Sequence, residues 1–267
     1  MEGGNQTGRH KMNASTGPFS LEYPGHAFVF FSPPHWIGLL VLLALFSSIW
    51  VFRNWFAKPK VDTYTRWTLA VLLLAQELSL SIWRMSIGTW DAGTSLPLHL
   101  CGMGIVLAAF MVINRNYLLY ELVYFWGLGG AIQALLTPDL GVYGYPHYRF
   151  FQFFLSHGTL IFASLYMTWI GGMRPTHRSI WKVIGITNIY LVLIAGFNTL
   201  TDGNYLFICY KPVNGSIIDV LGPWPWYILS LEIVAVLSFY IYYSPFALRD
   251  LIVNFRSRPA SIKQVNS

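Results

Sequence analysis

The sequence predicts an all-α polytopic membrane bundle of seven transmembrane helices, N-terminus outside and C-terminus cytoplasmic, and three observations carry that reading. Of 267 residues, 55% are hydrophobic and only 10% are charged, whereas ordinary globular domains carry about a quarter charged residues. Seven apolar stretches, at 34–52, 67–89, 96–113, 117–136, 149–170, 180–201 and 225–246, are long enough as helices to cross a hydrocarbon core of about 30 Å. Spanning strands would be shorter and would alternate. Finally, the basic residues segregate by loop. Arg53, Lys58, Lys60, Arg66, Arg115, Arg174, Arg178, Lys182, Arg249, Arg256, Arg258 and Lys263 fall on one side, against Arg9, Lys11, Arg149 and Lys211 on the other. The basic-rich side is cytoplasmic. The net charge of +6 is spread over these loops and forms no single patch, so no nucleic-acid partner is expected.

Residues 1–27 are rich in Gly, Asn, Ser and Thr and read as a mobile outer tail. They hold glycosylation-type tripeptides at Asn5 and Asn13, with a third at Asn214. The first span begins too late and is too long for a cleaved leader, so it is expected to be the first anchor. The transmembrane domain covers 28–248 and a short basic cytoplasmic tail covers 249–267. Ser32-Pro33-Pro34 reads as a capped helix start, which places His35 at the outer surface. The second span carries Glu77, Ser81 and Arg84 on one polar stripe, within about 60° of one another. Glu77 and Arg84 are two turns apart, about 10 Å by helical rise. Each therefore needs a partner elsewhere.

The third span takes Ser95 as its cap and Pro97 in its first turn, so His99 and Cys101 lie in its outer third. The fourth rises after Asn114-Arg115-Asn116, with Glu121 near its inner end and Gln133 and Thr137 near its outer end. Gly127, Gly129 and Gly130 permit close helix approach there. Gln152, Ser156 and His157 belong to the fifth span. Asn188, Asn198 and Asp202 belong to the sixth. The outer loop 202–223 holds Asn204, Cys209 and Lys211, and Gly222-Pro223-Trp224-Pro225-Trp226-Tyr227 opens the last helix, with Glu232 about two turns further on.

Sorted by depth, His35, Arg84, His99, Cys101, Gln133, Gln152, His157, Asn198 and Asp202 share the outer half. Glu77 and Glu232 lie deeper, and Glu121 stands alone in the inner half. A polar cavity open to the outer face or leaflet is expected from that asymmetry. His99 and His157 are the candidate catalytic, proton-handling groups. Arg84 is the candidate anion clamp, and Glu77, Gln133, Asn198 and Asn204 are further candidate ligand contacts. The competing reading for each amide is an ordinary interhelical hydrogen bond. For Arg84 it is an ion pair with Asp202, Glu77 or Glu232. On a regular helix His99 and Cys101 stand about 200° apart. Either the helix is irregular after Pro97 or only one of them reaches a site, and His99 is preferred, with Cys101 a weak candidate. A Cys101–Cys209 disulfide is not expected. The paired histidine spacing of a zinc site is absent and no lysine in the last span offers a retinal linkage, so neither metal nor cofactor is expected.

At Pro97-Leu98-His99-Leu100-Cys101, Ser156-His157-Gly158, Gly203-Asn204-Tyr205 and Gly222-Pro223-Trp224-Pro225-Trp226-Tyr227, the chain resembles the bacterial YwaF-like integral membrane family. It is distantly similar to the transmembrane protein 164 family, whose studied member moves a fatty acyl group between phospholipids by way of a cysteine. The resemblance covers roughly His35 to Ser244. It implies lipid acyl chemistry at His99, and a cysteine directly before that histidine. Here Leu98 stands in that place, with Cys101 three positions on, nearly one helical turn. The expected partner is a membrane lipid, or a lipid or small-molecule ligand, in a bacterial plasma membrane. Whether the chain is an enzyme is left open at this point. Phospholipid acyltransferase or lipid hydrolase leads, against a non-enzymatic receptor or sensor and a transporter. Oligomeric state is not legible.

Overall fold

The computed structural model describes residues 17–211 and 217–256, and among these the chain is helical with no strand. Eight helices follow in order: α1 Pro33–Val51, α2 Arg53–Phe56, α3 Pro59–Ser86, α4 Leu100–Asn114, α5 Tyr117–Leu136, α6 Tyr148–Trp169, α7 His177–Thr201 and α8 Trp226–Arg256. Six of them, all but α2 and α4, are long and apolar enough to cross a membrane. The chain is an integral, multi-pass membrane protein.

The long helices alternate in direction. His35, at the start of α1, donates through Nε2 to the Leu135 carbonyl at the end of α5, at 2.9 Å. Arg66, near the start of α3, donates through Nη1 to the Val112 and Ile113 carbonyls at the end of α4, at 2.9 and 3.0 Å. The first pair marks the upper end, where residues 17–32 lie; the second marks the lower end. Helices α3 to α6 form the centre, around Leu73, Ile105, Ala108, Val123, Phe125 and Leu160. Helices α1, α7 and α8 flank it with largely exposed apolar faces, the surfaces a lipid phase would cover. Gly127 lets α5 approach α6: a Cβ there would stand 3.2 Å from Leu160 Cγ.

Local chemistry sets the ends. Asn116 Oδ1 accepts the Leu119 amide at 3.0 Å and starts α5. Thr176 and Ser179 form a reciprocal capping box on α7. Lys58 is extended and Pro59 opens α3.

Several expectations change. The second span begins at Pro59 rather than residue 67, which brings Asp62 into the helix and into the core. The lower end is therefore not dry. Asp62 accepts from Arg66 Nε at 3.1 Å and Tyr166 OH at 3.1 Å and pairs with Arg115. Glu121, also there, is buried and satisfied by Lys182 Nζ at 2.6 Å and Ser179 Oγ at 2.6 Å. His35 is fully buried, not at the surface, because its Nδ1 also accepts the Phe31 amide at 2.9 Å. Ser32 precedes α1 without a side-chain cap. Residues 17–27 pack against the upper end instead of forming part of a loose tail, and α8 runs through Pro245 to Arg256, past the expected start of the tail at 249. Both cysteines are free. Asn5, Asn13 and Asn214 lie outside the described residues.

The third span departs furthest. Helix α4 has 15 residues, about 22 Å at 1.5 Å per residue, and is short for a bilayer core. The expected cap at Ser95 and first turn at Pro97 give way to turns and bends over 92–99, with His99 itself, extended at φ −68° and ψ 153°, as the residue before the helix. Irregular backbone at such depth is tolerated where it lines a cavity inside the protein.

Candidate functional site

A cavity of about 200 Å³ lies where the upper halves of α3, α4 and α6 meet. Helix α3 contributes Glu77 and Arg84, the 94–99 segment contributes Thr94, Ser95 and His99, α4 contributes Cys101 and Gly102, and α6 contributes Arg149, Gln152, Ser156 and His157. The break before α4 resolves the angular conflict between His99 and Cys101. His99 is outside the helix, so of the two alternatives the irregular helix after Pro97 is the one observed, and both residues line one cavity. Gly102 permits the break: a Cβ there would sit 2.9 Å from Pro97 Cα, inside contact distance of backbone that cannot swing aside.

Hydrogen bonds assign opposite tautomers to the two imidazoles. Nδ1 of His157 lies 2.9 Å from the Phe153 carbonyl. A carbonyl only accepts, so Nδ1 carries the proton and Nε2 holds a lone pair. His99 is reversed. Its Nδ1 accepts the Leu206 amide at 3.3 Å, so a neutral ring carries its proton on Nε2. One imidazole thus carries a free lone pair on Nε2, able to accept a proton, and the other an Nε2–H, able to donate a hydrogen bond.

The charges are two guanidiniums and one carboxylate. Arg84 donates through Nη1 to the Thr94 carbonyl at 3.2 Å. Arg149 donates to Gln152 Oε1, and Gln152 Nε2 donates to Gln76 Oε1 at 2.9 Å. Glu77 lies within electrostatic reach of both arginines. It makes no ion pair within 4.0 Å among the described residues. The expected pairings of Arg84 with Asp202, Glu77 or Glu232 do not form; Asp202 is exposed at the end of α7, and Glu232 accepts from Asn188 Nδ2 at 2.6 Å. A second, outer hollow of about 450 Å³ shares Arg84, Arg149, Thr94 and Ser95 with the first. Trp83, Thr89, Asp139, Tyr143 and Leu21 are among its other walls. The two guanidinium residues therefore border both spaces.

Three candidate ligand contacts lie elsewhere. Gln133 is exposed and donates to Thr137 Oγ1 at 3.0 Å, one turn along α5. Asn198 is buried and clasps Tyr205, accepting its amide at 2.9 Å and donating to its carbonyl at 3.0 Å. Asn204 ties its own loop, with Oδ1 accepting the Cys209 amide at 3.1 Å and Nδ2 donating to the Tyr210 carbonyl at 2.7 Å. The last two act on the cavity indirectly. Their loop carries Leu206 and Phe207 at positive φ, 62° and 54°, a conformation bulky residues rarely hold. It supplies the amide that fixes His99 and packs Tyr205 and Phe207 against that ring, each at 5.2 Å.

Arg149 and Gly102 were missed as site residues. By loop position Arg149 is a charge that sets topology, yet it shares an i, i+3, i+7 stripe with Gln152 and Ser156, the pattern that marks one helix face. For Gly102 no sequence signal points to Pro97.

The TMEM164 family profile matches residues 30–243. A protein of Treponema pallidum (strain Nichols), described as uncharacterized, is 27% identical over 230 residues, 82% of this chain and 90% of the relative. No solved structure matches the chain.

Proposed function

The chain belongs to the TMEM164 family, and on that premise we propose that the cavity binds a phosphate-bearing membrane lipid and transfers its acyl group. The observation that carries this reading is the convergence of Arg84, Arg149, Glu77, His99, His157 and Cys101 on one space. Two guanidiniums against one carboxylate leave a single positive charge, which matches the single negative charge of a phosphodiester. The finer placement goes with it: a seven-span bundle of the bacterial YwaF-like branch, in a plasma membrane, with the upper end outward.

In the proposed reaction, His157 Nε2 takes the thiol proton of Cys101 and Sγ adds to the ester carbonyl. Arg84 and Arg149 hold the phosphate, and the His99 Nε2–H donates to the oxygen on which charge develops. The carbon–oxygen bond then breaks, and the departing lysophospholipid hydroxyl receives its proton from His157. A second lysophospholipid reverses the steps and leaves with the acyl group; water in its place gives hydrolysis.

A second reading, lipid binding without covalent chemistry, is favoured by one contact. Cys101 Sγ lies only 2.8 Å from where a Cβ on Gly130 would stand, so the thiol packs against α5. Purified protein given a phospholipid with a labelled acyl chain and an unlabelled lysophospholipid separates the two. Acyl transfer predicts labelled product and a hydroxylamine-labile label on the protein that Cys101→Ser abolishes. Unchanged turnover in both His99→Ala and His157→Ala contradicts the proposed roles, and lipid retained without turnover supports binding alone.

A further inference from the structure

Residues 17–23 cross the upper end of the bundle, and four successive backbone carbonyls in this stretch accept hydrogen bonds from the frame of the site. Pro18 accepts the Tyr148 amide at 2.8 Å, Phe19 accepts Trp83 Nε1 at 2.9 Å, Ser20 accepts His147 Nε2 at 3.1 Å and Leu21 accepts Tyr143 OH at 3.3 Å. The Phe19 ring stacks on Tyr148, with centroids 5.4 Å apart. Leu21, Trp83 and Tyr143 are also walls of the outer hollow that Arg84 and Arg149 border. The segment therefore lies along the route from water to the two guanidiniums.

His147 is the hub of these contacts. It is fully buried and precedes α6, where its Nδ1 accepts the Arg149 amide at 3.1 Å while its Nε2–H serves Ser20. One imidazole can accept at one nitrogen and donate at the other only when it is neutral. Tyr143 stacks on the ring at 4.4 Å, and Tyr23 and Trp83 stand 4.9 and 5.8 Å away. The charge acting on the ring is that of Arg149. A second proton would turn Nδ1 from acceptor to donor, facing the Arg149 amide with nothing to give it, and would add a cation beside a guanidinium.

We propose that residues 17–23 are a strap over the aqueous mouth of the site, latched by neutral His147 and released when that ring is protonated. Access to the cavity is then governed by pH, a role that rests on the lipid-site reading. Burial, reinforced by Arg149 and opposed by the Ser20 carbonyl, holds the His147 pKa below its ordinary value. The sign follows. The released strap binds the proton more tightly than the latched one, so the latch is fully stable above about pH 6.5 and weakens below it, by up to about tenfold per pH unit.

The amides of Tyr148 and Arg149 report the latch, because their acceptors are Pro18 and His147. Hydrogen exchange of the full chain in detergent micelles, at pH 7.5 and 5.5 and corrected for intrinsic rates, should show their protection falling by up to about tenfold at the lower pH. In His147→Gln the protection should no longer depend on pH. Trp83→Phe, which removes the donor to Phe19, should lower the protection at both pH values and serves if His147→Gln does not fold. Equal protection at both pH values in the parent protein, or a pH dependence that survives in His147→Gln, overturns the latch. Exchange needs no turnover, so a failed latch leaves the lipid reading standing, and a failed lipid reading leaves the latch measurable.

Discussion

Gln152 on α6 donates its side-chain amide to Gln76 on α3 across 2.9 Å, and its own carbonyl oxygen receives Arg149. Two walls of the cavity and one of its guanidiniums thus hang on a single buried amide pair.

Replacing Gln76 with Leu leaves the Gln152 amide without its acceptor, which costs about 1–3 kcal/mol. Thermal unfolding in detergent should show a lowered midpoint. The double variant Gln76→Leu/Gln152→Leu should recover part of the loss, since two apolar groups replace two polar ones. It should still bind lipid more weakly, because Arg149 has lost its acceptor.

Turnover should fall by about 10²- to 10⁴-fold in His157→Ala, the usual contribution of a positioned acid or base, and by about 10²- to 10³-fold in His99→Ala, the usual cost of losing one oxyanion donor. Gln133→Ala is the control. Exposed and bonded to Thr137 on its own helix, Gln133 should change neither turnover nor stability by more than about 0.5 kcal/mol.

Gly102→Ala tests the break before α4. The added methyl meets Pro97 Cα at 2.9 Å, so the 97–99 segment must move and carry His99 with it. Stability should drop by about 1–3 kcal/mol. Turnover should fall although the Cys101 thiol is untouched, whereas Gly129→Ala on α5, whose added methyl meets nothing closer than 3.9 Å, should leave turnover unchanged.

At the lower end, Asp62→Asn strips the buried charge that Arg66 and Arg115 share. Arg66 keeps the Val112 and Ile113 carbonyls and Arg115 is half exposed, so the loss should be about 1–3 kcal/mol, visible in thermal unfolding. Lipid retained in the cavity should not change, because buried Leu69, Ala70 and Leu73 on α3 separate Asp62 from Glu77.

The helices were legible because hydrocarbon demands long apolar runs, and each expected span coincides with most of one observed helix. The start of α3 was not. Asp62 and Arg66 read as loop charges until each is seen to satisfy the other inside the helix. For the cavity, depth brought Arg84, His99, Cys101, Gln152 and His157 together, and the helical stripe it shares with Arg84 added Glu77. Depth cannot say around which side of the bundle a residue points, which is why Gln133 and Asn198 were grouped with them. The non-helical stretch over 92–99 was hidden because Pro97 suits a first helical turn as well as a bend; what decides is the fit of Gly102 against it and Tyr205, which accepts the Leu96 amide at 2.8 Å and donates to the Ala92 carbonyl at 2.8 Å.

Native mass spectrometry of gently purified protein tests most directly whether the cavity holds a phosphate-bearing lipid. The parent protein should retain one such molecule per chain, and Arg84→Gln/Arg149→Gln should lose it while keeping its thermal midpoint within a few degrees. Equal retention of the same lipid by both proteins would contradict the account.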